Sequence, residues 1–197
     1  MSKDVITIVS GLPRSGTSLM MQMIDAGGLP ALTDRVRTSD HDNPRGYFEL
    51  EAVKRTKTDG SWLGEATGRV VKMVHLLLYD LPPDGSYRVV FMRRALGEVV
   101  RSQSVMLQRR GTSGASLTDE QLVKAYEGQL AKIERWLGEQ PNFTVHVVSY
   151  NDLMANPAPA AAAVNAFLGG GLDVAAMLSH VDPALYRQRQ ASGSGQA

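Results

Sequence analysis

Four short runs of apolar, largely β-branched residues recur along the chain and predict strands. They cover residues 5–9, 70–74, 88–92 and 143–148, and most of them do not alternate between polar and apolar positions. Unbroken apolar runs of this length are typical of parallel strands that are covered on both faces. The pattern therefore predicts a parallel sheet buried between other layers of structure.

Between the strands, apolar residues recur every three or four positions, a spacing that predicts amphipathic helices. The clearest case is the stretch 119–138, where five residues keep the spacing: Leu122, Tyr126, Leu130, Ile133 and Leu137. Another helix is expected from Pro157 to Leu168, and the glycines at 169–171 end it. Strands alternating with helices predict an α/β fold of three layers, a parallel β-sheet flanked by helices.

A length of 197 residues suits one domain, which we expect to span residues 1–190. Residues 191–197 lack core-forming side chains and are predicted to be a disordered tail. Two further stretches, 27–46 and 110–117, are rich in glycine and polar residues and carry no apolar period. We predict loops in both.

The overall charge excludes some classes of partner. The chain carries 21 lysine and arginine residues against 20 aspartate and glutamate residues, a formal net charge of +1, which argues against nucleic acid or an anionic membrane. It has no cysteine, so disulfides, thiolate metal sites and cysteine nucleophiles are excluded. The first strand follows Met1 closely, with no signal-like or membrane-spanning run, and this favours a cytoplasmic location.

The most informative local pattern is the loop of residues 11–18, Gly-Leu-Pro-Arg-Ser-Gly-Thr-Ser, between the first strand and a helical run. A strand, a glycine-bounded loop and a helix direct backbone N–H groups toward an anion. The glycine spacing is that of a phosphate-binding loop, but Thr17 stands where a nucleoside triphosphatase needs lysine. The positive charge lies at Arg14 instead. The loop therefore predicts a phosphate-like ligand without the usual apparatus for ATP hydrolysis.

The run from Pro13 to Ser18 resembles the 5′-phosphosulfate loop of sulfotransferases that use 3′-phosphoadenosine-5′-phosphosulfate (PAPS). The resemblance implies the sulfotransferase version of the P-loop NTPase-like α/β fold. It also implies that loop residues contact the donor: Arg14, Ser15, Gly16, Thr17 and Ser18.

Two later segments extend the resemblance over most of the chain. In this family an arginine at a strand end and a serine eight residues later hold the 3′-phosphate, and Arg94 and Ser102 have that spacing. A guanidinium fork and a hydroxyl can share the oxygens of one phosphate. The strand pattern favours Arg94 over Arg93, although a contact from Arg93 stays open. Tyr150 begins a segment similar to the family's Tyr-Glu-Asp-Leu, whose tyrosine lies near the adenine.

Sulfuryl transfer also needs a cation near the leaving phosphate and a base for the acceptor hydroxyl. Lys72, in an apolar strand, resembles the family lysine that touches the sulfuryl or bridging oxygens; a lysine at a sheet edge is the alternative. Asp34 is the favoured base, because a carboxylate lies about twenty residues after the loop arginine in the tyrosylprotein-like branch. His75 is second, one position later than the histidine of the aryl and steroid branch, and Glu49 is third.

The resemblance implies PAPS as the donor, its desulfated product PAP, no metal, and a hydroxyl or amine of a small molecule or glycan as the acceptor. The sequence leaves the acceptor and the oligomeric state open. One rival function is an ATP-dependent phosphotransferase of the same fold group, which needs a lysine after Gly16 and a magnesium-binding acid. The other is a nucleotide-binding protein that keeps the phosphate sites and lacks a base.

Overall fold

The computed structural model describes residues 5–37, 39–40, 43, 45–109, 111 and 117–187. The tail predicted at 191–197 and most of the loop predicted at 110–117 lie outside these residues. Within them, one sheet of four parallel strands has the order β2-β1-β3-β4. The strands are β1 (Val5–Gly11), β2 (Val70–Val74), β3 (Ser86–Arg93) and β4 (Phe143–Ser149). All four predicted strands are present, three of them one to three residues longer than predicted.

Helices follow β1, β3 and β4 as the apolar spacing predicts, whereas a 3₁₀ turn connects β2 to β3. They are α1 (Thr17–Ala26), α2 (Leu96–Arg109), α3 (Asp119–Glu139), α4 (Tyr150–Ala155), α5 (Pro157–Phe167) and α6 (Val174–Ser179). Four short 3₁₀ turns complete the list: Glu51–Arg55, Ser61–Glu65, His75–Asp80 and Pro183–Leu185. A capping box at Thr118 begins α3, since the Thr118 hydroxyl accepts from the Gln121 amide and the Gln121 side chain accepts from the Thr118 amide. No helix in the described part of the chain is long and apolar enough to cross a bilayer.

Each face of the sheet has its own hydrophobic core, which confirms the three-layer α/β architecture. On one face α1, α5 and α6 supply buried side chains such as Met23, Val164 and Met177. On the other face α2 and α3 supply Val99 and Ile133, among others. The strands therefore lie between two layers of helices.

The covering of β4 is less complete than the apolar run predicts. Val145 and Val147 are 37% and 53% exposed, whereas the middle of β3 is fully buried. The cause is position, because β4 is at the edge of the sheet and β3 is inside it.

The sheet order places the candidate site. The connection from β1 runs to β2 on one side and β3 lies on the other side, while α1 and α2 pack on opposite faces. In open α/β sheets ligands bind in the crevice that such a reversal opens at the carboxyl ends of the strands. Here that crevice lies between the loop after β1 and the start of α2.

Candidate functional site

A cavity of about 450 Å³ occupies this crevice. Its charged lining is dominated by cations: Arg14, Arg37, Lys54, Lys72, Arg94, Arg109 and Arg187. Glu49 and Asp182 are the carboxylates among the described lining residues. In a chain with a net charge of only +1, this concentration of positive side chains gives one site that attracts polyanions.

The loop after β1 is held in shape by its own hydrogen bonds. The hydroxyl of Ser15 and its amide both donate to the Leu12 carbonyl, at 2.7 and 3.2 Å, and Ser15 is almost fully buried. The Ser15 side chain therefore supports the loop and does not line the cavity. Gly16, Thr17 and Ser18 do line it. They precede the first intrahelical bond of α1, from the Met20 amide to the Gly16 carbonyl, and first-turn amides of this kind bind anions.

Position 16 requires glycine, both because of its backbone conformation and because the ring of Tyr150 lies against it. Its φ of 99° lies in the left-handed region, and a Cβ built there would lie 2.3 Å from Cδ2 of Tyr150. The loop and the start of α4 thus touch with no room for a side chain. This contact keeps the loop of residues 11–18 against the β4 end of the crevice.

Substitution of Gly16 tests this contact. We expect Gly16→Ala to lower the free energy of unfolding in urea by about 2–4 kcal/mol, from a left-handed alanine and from overpacking against Tyr150. Gly28→Ala is the matched control, since Gly28 has a φ of 107° but nothing within 4 Å of its Cβ position. The control should cost about 1–2 kcal/mol, the backbone part alone. Equal losses in the two variants would mean that Tyr150 moves aside freely.

Three of the predicted phosphate ligands meet across the crevice. Nε of Arg14 donates to Oγ of Ser102 at 3.0 Å, and Nη1 of Arg94 donates to the Arg14 carbonyl at 3.1 Å. Arg14 has a φ of 71°, a strained value for a non-glycine residue. The structure therefore joins the loop to the Arg94–Ser102 pair in one cluster of donors.

A buried carboxylate that the sequence analysis missed holds Arg94 in place. Nε of Arg94 donates to Oε2 of Glu98 at 2.9 Å, and the Glu98 side chain is only 1% exposed. The hydroxyl of Tyr186 also donates to Glu98, at 2.7 Å, and Nδ2 of Asn151 donates at 3.2 Å. Arg94 lies two residues before α2 and Glu98 lies in its first turn, and this spacing of four residues is the signal that could have found the pair.

Asn151 occupies the place of the acid that is common in the resembling segment. Its Oδ1 accepts from the Ala95 amide at 3.0 Å while its Nδ2 donates to Glu98. A carboxylate at this position could not donate, and it would put a second negative charge beside a buried one. The amide therefore follows from the presence of Glu98.

Tyr150 and Arg93 have different surroundings. Tyr150 begins α4, is buried and lines the cavity, with the Arg94 guanidinium 4.6 Å from its ring centroid. Arg93 forms an ion pair with Glu134 of α3 and does not line the cavity. Of the two neighbouring arginines, Arg94 alone reaches the crevice.

Lys72 lies in β2 and its ammonium group enters the cavity. Nζ donates to the Tyr47 carbonyl and lies 3.4 Å from both Oγ of Ser18 and Oε1 of Glu49. The side chain is 11% exposed, so it does not extend to bulk water as the sheet-edge alternative requires. Burial lowers the pKa of Lys72 to about 8, and the Glu49 carboxylate opposes this shift.

The three candidate bases are not equivalent in position. Asp34 lies outside the cavity, and its carboxylate accepts from the amides of Val36 and Glu51 at 2.9 and 2.6 Å. His75 is buried behind β2 with Nε2 3.2 Å from Oε1 of Gln129, and burial lowers its pKa. Neither side chain lines the cavity. Glu49 does, with Oε1 2.8 Å from Nη1 of Arg37.

The segment that carries Glu49 contributes two more residues that have no sequence signal. Tyr47 is buried, its hydroxyl donates to Asp40, and its ring is covered by the Arg37 guanidinium at 3.3 Å from the centroid. Burial and the bond to Asp40 raise the pKa of Tyr47. These contacts fold an irregular stretch of chain over the cavity next to Lys72.

Comparison with known proteins agrees with this architecture. No family model matches the chain, and no curated protein matches its sequence. Among solved structures, the sulfotransferase domain from the Synechococcus PCC 7002 olefin synthase superposes with a TM-score of 0.55 at 17% identity, over 98% of this chain and 91% of that domain.

A second similar structure is retinol dehydratase in complex with androsterone and the inactive cofactor PAP, with a TM-score of 0.56 at 17% identity. The match covers 89% of this chain and 64% of retinol dehydratase, so this chain spans less than two thirds of that protein. Both structures have the same arrangement of sheet and helices. The chain therefore has the sulfotransferase fold, as the loop pattern predicts.

Proposed function

We propose that this protein is a sulfotransferase that moves the sulfuryl group of PAPS to a hydroxyl or amine of an acceptor. The observation that carries the proposal is the contact of Arg14 with Ser102 beside Arg94. It joins a phosphate loop that lacks the triphosphatase lysine to a second group of cationic and hydroxyl donors. A ligand that satisfies both needs two separate phosphate-like groups, as PAPS has.

The chemistry of the lining residues fits such a donor. First-turn amides and the Ser18 hydroxyl are suited to the 5′-phosphosulfate, whereas Arg94 and Ser102 are suited to a terminal 3′-phosphate. The ion pair with Glu98 balances the charge of Arg94 and fixes its orientation before the donor binds. The Arg94 side chain therefore loses little conformational entropy on binding. Tyr150 offers an aromatic ring beside this group, where we place the adenine.

The reaction needs one bond to form and one to break at sulfur. The acceptor oxygen attacks the sulfuryl group, the S–O bond to the 5′-phosphate breaks, and PAP leaves with the added negative charge. We assign stabilisation of that charge to Arg14, Lys72 and the loop amides. The acceptor proton must go to a base in the cavity.

We assign the base to Glu49, because it is the one candidate of the three that lines the cavity. Its partners Lys72 and Arg37 keep the carboxylate in place, and Nζ of Lys72 also lies 3.4 Å from Oγ of Ser18. Asp34 and His75 serve the structure instead: Asp34 holds two backbone amides, and His75 faces α3.

Nucleotide selectivity is the direct test of the proposal. We expect adenosine 3′,5′-bisphosphate to raise the melting temperature of the protein far more than ADP or ATP at equal concentration, since Arg94 and Ser102 pair with a 3′-phosphate. Binding at 100 times Kd stabilises by about 2.7 kcal/mol, a shift that scanning fluorimetry detects easily. Equal shifts with ADP would contradict the assignment.

Chelation separates the proposal from the ATP-dependent phosphotransferase. Arginine, lysine and backbone amides supply the charge here, so we expect sulfuryl transfer to continue in EDTA. No three histidine, aspartate or glutamate side chains among the described residues come together in the manner of metal ligands. Turnover that is lost in EDTA and restored by Mg²⁺ would favour the phosphotransferase.

The state of Lys72 predicts a pH dependence. Its pKa is lowered to about 8, so the cation is present below that pH and lost above it. We expect kcat/KM to fall as pH rises through about 8, with slope approaching one decade per unit. Lys72→Arg should move this limb to higher pH, because a guanidinium stays protonated. An alkaline limb that is unchanged in Lys72→Arg would assign it to another group.

A further inference from the structure

The apolar part of the cavity lining lies next to Lys72 and Glu49. Val74 and Leu77 follow Lys72 in the chain, and Leu50 and Val53 follow Glu49. Leu50, Val53 and Leu77 belong to one hydrophobic cluster, so the two segments meet. Val74 is 39% exposed, and Leu50 and Leu77 are half-buried.

Apolar surface that stays accessible inside a cavity is a binding surface for an apolar group. The hydroxyls of a glycan would lose water there without gaining partners, at a cost for each one. The lining beside the proposed reaction centre therefore favours an acceptor whose hydroxyl is attached to an apolar body.

Helix α2 adds a second feature farther along the same cavity. Ser102, Val105, Met106 and Arg109 all line it, with the three- and four-residue spacing of one helix face. From Ser102 to Arg109 the helix rises about 10 Å, at 1.5 Å per residue. Starting from the proposed 3′-phosphate site, this face is thus polar, then apolar, then cationic.

A second part of the lining repeats the change from apolar to cationic. Val53 is followed by Lys54, which also lines the cavity and pairs with Glu51 at 2.6 Å. Two parts of the lining that each pass from apolar residues to a cation indicate a ligand with an apolar body and an anionic end. A carboxylate suits Arg109 best, since a guanidinium binds it with two parallel hydrogen bonds.

We infer that the acceptor is an alcohol with an apolar body and a carboxylate at its far end, and this inference rests on the proposed function. Its hydroxyl lies at Glu49 and Lys72, its body lies against Leu50, Leu77 and Met106, and its carboxylate reaches Arg109. A hydroxylated fatty acid or a hydroxyaryl alkanoate has this chemistry. This inference narrows the acceptor from small molecules and glycans in general to hydroxylated apolar acids.

Binding to the protein saturated with PAP tests the inference without relying on turnover. We would titrate ω-hydroxydecanoate, its methyl ester and methyl glucoside into the full chain by calorimetry. We expect the acid to bind about tenfold more tightly than the ester, the value of one charge-assisted hydrogen-bonding site, and the glucoside not to bind. Radiolabelled sulfuryl transfer should rank the three compounds in the same order.

Two variants on one helix localise the carboxylate. Arg109→Gln should bring the ratio of acid to ester affinity close to one. Arg101→Gln is the control, because Arg101 lies on α2 in the groove that faces Asp119 and Glu120 of α3, away from the cavity. It should keep the tenfold ratio.

Equal binding of acid and ester by the unmodified protein, or tighter binding of the glucoside, would overturn the inference and leave the proposed function standing. Failure of PAP itself to bind, measured by calorimetry before any acceptor is added, would overturn both the proposed function and this inference. An Arg109→Gln variant that keeps the tenfold preference would remove Arg109 from the acceptor site, and with it the orientation that we infer.

Discussion

Glu49→Gln is expected to lower the rate of sulfuryl transfer by about 10²–10⁴, the usual contribution of a positioned general base. The amide keeps the size and part of the hydrogen bonding of the carboxylate but cannot take the acceptor proton. Adenosine 3′,5′-bisphosphate should bind with nearly unchanged affinity, because Glu49 is assigned to the acceptor side. Single-turnover transfer and calorimetry on the same variant measure the two quantities.

The same substitution carries a second, independent signal. Glu49 raises the pKa of Lys72 against the effect of burial, so its neutralisation should move the alkaline limb from about 8 to lower pH. Asp34→Asn and His75→Gln are the controls, and both should transfer at rates near that of the unmodified protein. If Asp34→Asn abolishes transfer in a folded protein and Glu49→Gln does not, Glu49 is not the base.

The parts of the fold that followed from the sequence are those set by local pattern. Strands between two helical layers are largely apolar, so apolar runs located β1, β2 and β3, with the bounds of β2 as predicted and β1 and β3 two and three residues longer. The exposure of Val145 and Val147 was not predictable in the same way. It depends on β4 being at the edge, and strand order is decided by crossovers, which leave no mark in a single strand.

The site residues likewise divide into those that the sequence could locate and those that it could not. Arg94 and Ser102 could be located because the family resemblance implies an arginine at a strand end and a serine eight residues later, and the strand pattern marks where that strand ends. The bond from Arg14 to Ser102 could not, because it joins residues 88 positions apart through a left-handed backbone conformation at Arg14. The pattern of apolar and polar residues within one element carries no information on a hydrogen bond between two distant elements.

The base is the role for which the sequence offers the weakest guide, and Glu49 is our proposal for it. Residues 27–46 have no apolar period, so the carboxylate that the resemblance implies about twenty residues after the loop arginine was the available guide, and it led to Asp34 ahead of His75 and Glu49. In an irregular segment the number of residues does not fix the direction of a side chain. There Asp34 faces backbone amides, and Glu49, fifteen positions later, faces the cavity.

Arg14→Ala is expected to lower transfer by about 10²–10³, the effect of removing one preorganised donor from a developing negative charge. The loss should appear in kcat, because charge grows on the leaving phosphate as the S–O bond breaks. The bond from Arg14 to Ser102 adds a second expectation: the preference for adenosine 3′,5′-bisphosphate over AMP should also fall.

Ser102→Ala is the matched comparison, since it removes the hydroxyl shared by Arg14 and the proposed 3′-phosphate without leaving a buried charge unpaired. Arg94→Ala is less clean, because it leaves the buried carboxylate of Glu98 without its cation. Ser102→Ala should weaken binding of the bisphosphate, leave AMP binding unchanged and raise the KM for PAPS at nearly constant kcat. If Arg14→Ala instead behaves like Ser102→Ala, with KM raised and kcat kept, Arg14 belongs to the 3′-phosphate site alone and Lys72 with the loop amides must stabilise the leaving group.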